Sequence, residues 1–412
     1  MLNIPNAYLF QGGKSIKPYF QIPKPVNTNT NKVAIIGSGI SGCSVAYELT
    51  NIGYDVTVFD KNKEVAQGAS GNHTGMLKPY LTVDLNVSDL FHTRGFYEVV
   101  SKLYSSSTID DFYMKTGLVH YIDSERDIHR YTKLFDQRSI PKNLAYLSQC
   151  KTKLYYPNAI TMSPRGFCKY LLSSLGKDID IQHNYNIKQL NQNSIGLWQI
   201  NGSVDLYDAI VFCAGVDGFS QFKQTNHIPV FPAQGQLSYF SKLEPSNEMI
   251  LSKSGYVLPQ YKNISVVGAT YRNNKDLTGD LREKDHLFNT NILVDLIPGA
   301  LYRAEGGRVS TRCVTSDHLP IIGGVPIYNK FIDQYSKLFK YGVIDSKLPA
   351  CSYYSGLYMC SGFGSKGLAS SIVSAKLIAS LIYGDSLPIS NKVYEAVHPA
   401  RFWVKELKKK KF

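Results

Sequence analysis

The apolar run Val33–Ile36 ends at Gly37. Gly39 and Gly42 follow, apolar positions then recur at helical spacing, and a second apolar run, Val56–Phe59, stops at Asp60. This pattern predicts a strand, a glycine turn, an amphipathic helix and a second strand closed by an acid. The three glycines serve different ends, since Gly37 permits the tight turn, Gly39 brings backbone close to a pyrophosphate, and Gly42 lets the helix pack on the strand. Ser38, Ile40 and Ser41 fill out the loop, and the positive end of the helix that it opens attracts an anion. Asp60 is placed to accept hydrogen bonds from an adenosine ribose, with Lys61 next to it in the expected contact set. Strand, glycines, helix, strand and acid in register imply a bound dinucleotide. The bland alternative is a glycine-rich connector.

Further along, the periodicity changes several times. Residues 1–30 are polar, and Ile22–Thr30, with Pro23 and Pro25, reads as an extended linker. Gly68–Leu81 (GASGNHTGMLKPYL) reads as a loop in which Ala69, Ser70 and Gly71 admit backbone close to a bulky ligand, or else as a plain surface turn. A strand is expected at Gly117–Ile122, a helix near Ile128–Gln137 and an amphipathic helix from Ser163. Tyr207–Gly215 (YDAIVFCAG) reads as a buried parallel strand whose end, Ala214 and Gly215, meets the nucleotide again. Phe231–Phe240, SGYVLPQY and ISVVGATYR then read as paired antiparallel strands, followed by a helix near Glu283–Leu296. Gly356–Gly384 returns to strand, glycine loop and helix, so Gly362, Gly364, Lys366 and Gly367 offer a second cluster of N–H groups to the same ligand.

These elements imply an α/β fold with a discontinuous nucleotide-binding domain (31–80, 163–220 and 306–385). A β-rich antiparallel substrate domain (81–162 and 221–305) is expected with it, between an N-terminal arm (1–30) and a basic C-terminal tail (386–412). A chain of 412 residues is long enough for two intertwined domains. The sequence holds no run of about 18 apolar residues and no secretory leader pattern, so a cytoplasmic location without a membrane partner is expected. The seven cysteines are scattered without CxxC spacing, which suggests neither a disulfide framework nor a metal site. Cys43, just after the glycine loop, reads as packing rather than a covalent anchor.

Charge adds a second property. The chain carries 45 Lys plus Arg against 32 Asp plus Glu, a formal net charge of +13, and Arg401, Lys405, Lys408, Lys409, Lys410 and Lys411 face only Glu406 at the end. Such a tail attracts polyanions, and Phe402, Trp403 and Phe412 supply aromatic surface to pack on the domain or stack on a base. The alternative is an ordinary solvated lysine run.

Several separated segments agree, in order, with one superfamily. The glycine fingerprint with Asp60, the loop Ala69–Gly71, the PxxGQ of Pro232–Gln236, the strand ending at Ala214 and Gly215, the R-x-x-T-x-D-x-x-P-x-x-G run Arg312–Gly323 and the loop Gly362–Gly367 together resemble the FAD-dependent D-amino acid oxidase and glycine oxidase class. More closely, GASGNHTGMLKPYL, RVSTRCVTSDHLPIIGGVP, GSKGLASS and HPARFWVKELKKKK resemble the oxidoreductase half of the MnmC family, which modifies the wobble uridine of tRNA. The SIKPYF of Ser15–Phe20 is similar to the segment joining the two halves in fused members. The resemblance implies a D-amino acid oxidase-type Rossmann-like fold, non-covalently bound FAD and a tRNA anticodon loop as partner. It further implies oxidative removal of the carboxymethyl group from carboxymethylaminomethyl-uridine, with a separate methyltransferase acting on the product. It also implies that Arg312 pairs with the substrate carboxylate.

The residues suit that chemistry. The substrate group is a glycine N-linked to the base, so an amine oxidase fits it, and a planar guanidinium anchors a carboxylate better than an ammonium does. Arg312 could alternatively brace a turn by pairing with Asp317. Arg308, Arg272 and Tyr271 are weaker candidates that more readily serve the fold or RNA. His73 reads as a polar loop residue, whereas Lys366, at a helix N-terminus, is expected to stabilise negative charge on the reduced flavin or else to be a solvated loop lysine. Two other activities fit the motifs: a free amino acid oxidase, and a non-catalytic flavoprotein or RNA-binding module.

Overall fold

The computed structural model describes Tyr8 and residues 15–105, 111–176, 179–216, 218–241, 243–272, 277–299, 302–340 and 347–409. The chain divides into two compact units. One holds residues 68–167 and 232–312; the other holds 3–67, 168–231 and 313–412.

The second unit is built on a six-stranded sheet in the order 321–326, 353–361, 209–212, 32–36, 55–59, 180–182. All neighbours are parallel except the antiparallel edge pair 321–326 and 353–361. Ala209–Phe212 is buried at every position, as a central strand covered on both faces must be. The helices Ile40–Asn51 and Gly367–Tyr383 pack together. Both are rich in buried small residues, which lets helix backbones approach closely.

Described segments near both ends of the chain belong to this core. Tyr19 and Phe20, from the segment expected to be a polar arm, are buried beside Phe331, Tyr335 and Trp403. The basic tail forms the helices Asn391–Val397 and Arg401–Lys408, in which Phe402, Trp403, Val404 and Leu407 are buried. Trp403 Nε1 donates to the His227 carbonyl at 3.0 Å. Of the expected tail cations, Lys405, Lys408 and Lys409 are exposed and Arg401 is buried, while Lys410, Lys411 and Phe412 lie outside the described residues.

In the first unit an eight-stranded sheet runs in the order 306–314, 231–240, 265–268, 256–257, 250–252, 118–121, 153–156, 146–147. The strands 231–240, 265–268 and 256–257 are antiparallel, as the alternation predicted. The helix Glu283–Leu296 covers them with Ile292, Leu293 and Leu296. The loop of small residues contains a single 3-10 turn, Ala69–Gly71, and a short strand, Gly75–Leu77. A 19-residue helix, Val87–Ser105, occupies a stretch in which the sequence pattern gave no element.

Candidate active site

The glycine turn of the second unit is fixed by contacts that exclude side chains. Gly37 has φ +105°, and a Cβ there would lie 2.8 Å from the Cys213 carbonyl oxygen and 3.0 Å from Ala214 Cα. A Cβ on Gly42 would lie 1.8 Å from the Gly37 carbonyl oxygen, which is backbone and has nowhere to go. The turn therefore wraps against Cys213–Ala214, bringing Gly37, Gly42 and Ala214 together, and Gly215 leaves the strand end with φ +65°.

Two helices begin beside this turn. Gly39 is the N-cap of the helix Ile40–Asn51 and Lys366 that of Gly367–Tyr383, and neither end has a side-chain cap. Ile40 and Gly367, the first residues of the two helices, are neighbours: a Cβ on Gly367 would lie 3.6 Å from Ile40 Cγ2. Ser41 Oγ donates to the Cys360 carbonyl at 2.5 Å, tying the first helix to the strand that leads to the second. Gly362 (φ +73°) and Gly364 (φ +55°) turn the chain between that strand and the second helix, and Gly364 N donates to the Cys313 carbonyl at 2.9 Å. Two helix N-termini thus converge, neither closed by its own N-cap side chain, an arrangement that suits an extended anion. Burial holds the Lys366 ammonium down to about 8, and anionic charge placed near it would raise that value.

Asp60 refines one expectation. Its Oδ2 accepts from the Ser38 N–H and hydroxyl, both at 2.6 Å. Its Oδ1 accepts from the Asn62 backbone at 2.8 Å and side-chain amide at 2.9 Å. The carboxylate's four acceptor positions are filled, so a ribose hydroxyl reaches it by displacing a donor. The half-buried Asn62 amide is the most readily exchanged. Lys61 is exposed on the turn that follows. Cys43 is fully buried, its Sγ 3.2 Å from the Ser38 carbonyl oxygen; hydrogen bonding with Cys168 and burial hold the thiol well above its ordinary range. It is therefore an unreactive packing residue.

In the first unit, Arg312 sits in a notch that only glycine leaves open. A Cβ on Gly235, the glycine of PxxGQ, would lie 1.8 Å from Arg312 Nη2. Nη2 donates to the Thr270 carbonyl at 3.3 Å, and the guanidinium carbon lies 5.7 Å from the centre of the Tyr271 ring. Burial pulls the guanidinium below its ordinary value, with Tyr256 and Tyr271 acting in the opposite sense. Asp317 is not its brace: both Asp317 oxygens are taken by Arg401, at 2.8 Å from Nε and 2.9 Å from Nη2. Arg401 also donates to the carbonyls of Val397, His398 and Leu319, so its five N–H groups are all used.

The weaker candidates separate on geometry. Arg272 is a buried structural cation paired with Asp285, and it also donates to Gln236 Oε1 at 3.2 Å. Arg308 Nη2 donates to the Gly68 carbonyl at 3.1 Å, fastening the start of the small-residue loop. His73 Nε2 lies 2.8 Å from the Tyr261 carbonyl oxygen, and its ring is tilted against Tyr239 and Tyr261, so it holds the loop. Sequence reasoning passed over the role of Gly235; a glycine inside an otherwise regular strand is the signal that marks such a close approach.

The model of the FAD dependent oxidoreductase family matches residues 32–381. The chain belongs to that family. Among curated relatives of this FAD dependent oxidoreductase is the tRNA 5-methylaminomethyl-2-thiouridine biosynthesis bifunctional protein MnmC of Hydrogenovibrio crunogenus, 28% identical over 422 residues. That match takes in 94% of this chain and 61% of the relative. The protein of the same name from Marinomonas sp. is 29% identical over 426 residues, 95% of this chain and 62% of the relative. The chain thus spans about three fifths of the length of these relatives. The fold is that of glycine oxidase from Geobacillus kaustophilus (TM-score 0.71, 16% identity, 90% of this chain and 99% of the other). L-proline dehydrogenase from P. horikoshii shares it as well (TM-score 0.70, 15% identity, 92% and 99%). No helix among the described residues is long and apolar enough to cross a membrane.

The residues fit the cofactor that the family name implies. Glycines that tolerate no Cβ and two converging helix N-termini suit a dinucleotide pyrophosphate, and the acid at the end of the second strand would take a ribose hydroxyl in exchange for one of its present donors.

Proposed function

We propose that this chain oxidises the carboxymethylaminomethyl group on C5 of the wobble uridine in tRNA, giving aminomethyl-uridine and glyoxylate. The observation that carries the reading is the half-buried Arg312 guanidinium, lodged where Gly235 leaves room, in a family member that aligns along 94% of its length with an MnmC protein. Bound FAD supplies the two-electron acceptor. Gly37–Gly42 with Asp60 and Lys61 would hold its adenosine half. Ala214, Gly215, Gly362, Gly364, Lys366 and Gly367 would hold the remainder, joined by Ala69, Ser70 and Gly71. The inert Cys43 supports a non-covalent complex.

Arg312 grips the substrate carboxylate with two parallel N–H donors, which removes the rotational freedom of the glycine-like arm. The CH2–NH unit loses two electrons and two protons to become N=CH. Water adds to that carbon, and the C–N bond breaks to release glyoxylate and the primary amine. The amine enters neutral, so the carboxylate anchor suffices without a strong base. Lys366 balances the negative charge that accumulates on reduction. The exposed Lys405, Lys408 and Lys409 give salt-dependent affinity for tRNA phosphates while the pocket reads the base. In this reading the reaction takes place in the cytoplasm, and the methyl group in the relatives' name comes from a separate methyltransferase acting on the product.

The test is mass spectrometry of wobble nucleosides from cells lacking this protein. Accumulated carboxymethylaminomethyl-uridine is expected; an unchanged nucleoside profile refutes the proposal, and turnover of free glycine or sarcosine by the purified protein favours an amino acid oxidase instead.

A further inference from the structure

Tyr271 is exposed over half its surface, although both of its chain neighbours are locked in place. Thr270 is buried, its Oγ1 accepting from Gln236 N at 2.9 Å and its N–H donating back to the Gln236 carbonyl at 3.3 Å. Arg272 exchanges both backbone bonds with Gln234, at 2.8 and 3.1 Å, and its side chain is held by Asp285 and Gln236. A hydrogen-bonded backbone therefore displays a large aromatic ring to solvent beside the half-buried guanidinium already assigned to the substrate. An apolar ring presented in this way exposes area that a mobile loop would fold down, and preordering such a ring removes the entropy cost of using it in binding.

The spacing allows the ring to meet a base carried on that carboxylate arm. Four bonds of about 1.5 Å, in zigzag, put the carboxylate carbon of a carboxymethylaminomethyl group roughly 5 Å from C5 of its pyrimidine. The Arg312 guanidinium carbon lies 5.7 Å from the Tyr271 ring centre. A carboxylate held by Arg312 therefore leaves the attached base within reach of the ring, whereas a free glycine has nothing to place there. We propose that Tyr271 is a specificity-determining residue whose ring stacks on the wobble pyrimidine, so that the pocket prefers a nucleoside-linked glycine over a free one. The inference rests on the tRNA reading above and adds the group that recognises the base face. Stacking is tolerant of base identity, so it complements the carboxylate anchor rather than duplicating it.

The test uses the flavin-loaded protein and an anticodon stem-loop RNA carrying carboxymethylaminomethyl-uridine at the wobble position. The two native tryptophans, Trp198 and Trp403, are 1% and 2% exposed, so the indole introduced by Tyr271→Trp is the solvent-facing fluorophore. Saturable quenching of that indole by the hairpin is expected. Tyr271→Ala is expected to raise KM for the hairpin about tenfold or more with kcat changed less, and Tyr271→Phe to stay within about threefold of the parent, since the stack needs the ring and not the hydroxyl. A merely structural role would move melting temperature and kcat together and would not be rescued selectively by Phe. A hairpin that the parent protein oxidises, yet that leaves the indole unquenched and the KM of Tyr271→Ala unaltered, overturns the stacking alone. A hairpin that the parent does not oxidise overturns the tRNA reading and this inference with it.

Discussion

Gly235→Ala presses on the carboxylate anchor and on the strand backbone beside it, and leaves the glycine turn of the other unit alone. The added Cβ would lie 1.8 Å from Arg312 Nη2 and 2.6 Å from the Thr270 carbonyl oxygen. To recover an ordinary contact of 3.4 Å the guanidinium nitrogen must retreat by about 1.6 Å. A displacement of about 1 Å at a positioning group costs on the order of 100-fold in rate. Losing one of two charge-assisted hydrogen bonds costs about 1.5–3 kcal/mol, a factor of roughly 10 to 150. We therefore expect kcat/KM on modified tRNA to fall by about two orders of magnitude. The glycine cradle of the other unit is untouched by this change, so flavin content is expected to stay at parent level, in contrast to Gly42→Ala, whose Cβ would strike backbone at 1.8 Å and should abolish flavin binding. Steady-state kinetics with flavin absorbance and a melting curve on the same preparations read both quantities. Gly235→Ala with full flavin and unchanged kcat/KM would show that the position of Arg312 does not matter to the reaction.

Three further outcomes follow from the same geometry. Arg312→Lys keeps the charge and loses the fork, so kcat/KM on the hairpin should drop about 10- to 150-fold with bound flavin intact; parent-level activity would reassign Arg312 to the fold. Reversing Lys405, Lys408 and Lys409 to Glu, instead of deleting a helix whose Trp403 is buried, should reduce the slope of log affinity for tRNA against log salt by up to about 2–3, and an unchanged slope removes this helix from the RNA surface. His398 is fully buried, and burial together with Arg401 holds it down to about 3 against an ordinary 6.5. The unfolded chain therefore binds the proton first, and folding stability is lost as pH falls from about 6.5 toward 3. By pH 5 the loss is about 2 kcal/mol, to be seen in denaturant melts as a lower midpoint that His398→Gln flattens. A midpoint that does not move across this window would refute the assignment.

Legibility in the sequence followed the range of each interaction. The fingerprint was readable because its constraints are local: Gly37 and Gly42 contact each other and strand ends, and the backbone leaves no room for another residue. The antiparallel strands and the helix Glu283–Leu296 were readable from period alone. The helix Val87–Ser105 was not, because it buries Asp89, His92, Thr93 and Glu98 among its apolar residues and so shows no clean stripe. Asp89 is there to bind Arg138 at 2.6 Å, 49 residues away. The C-terminal motif was read as charge for RNA, yet Arg401 spends its charge on Asp317, 84 residues upstream, a pairing that no spacing rule announces. Its neighbour His398 is equally structural: Ala400 N donates to Nδ1 at 3.1 Å, and Nε2 lies 2.8 Å from the Tyr353 hydroxyl, which itself donates to the Gln21 carbonyl. This chain of bonds fixes the neutral tautomer and ties the N-terminal segment to the C-terminal helices. Tyr19 and Phe20 looked like part of a short polar arm because two aromatic residues are too few to set a period.

A single anaerobic turnover decides whether bound flavin takes its electrons from the modified nucleoside. Purified flavin-loaded protein is mixed with a molar equivalent of tRNA bearing carboxymethylaminomethyl-uridine, and the flavin spectrum, the wobble nucleoside and glyoxylate are measured together. The yellow absorption is expected to bleach as one equivalent each of aminomethyl-uridine and glyoxylate appears. A flavin that stays oxidised while the nucleoside remains unconverted would contradict the proposed oxidation.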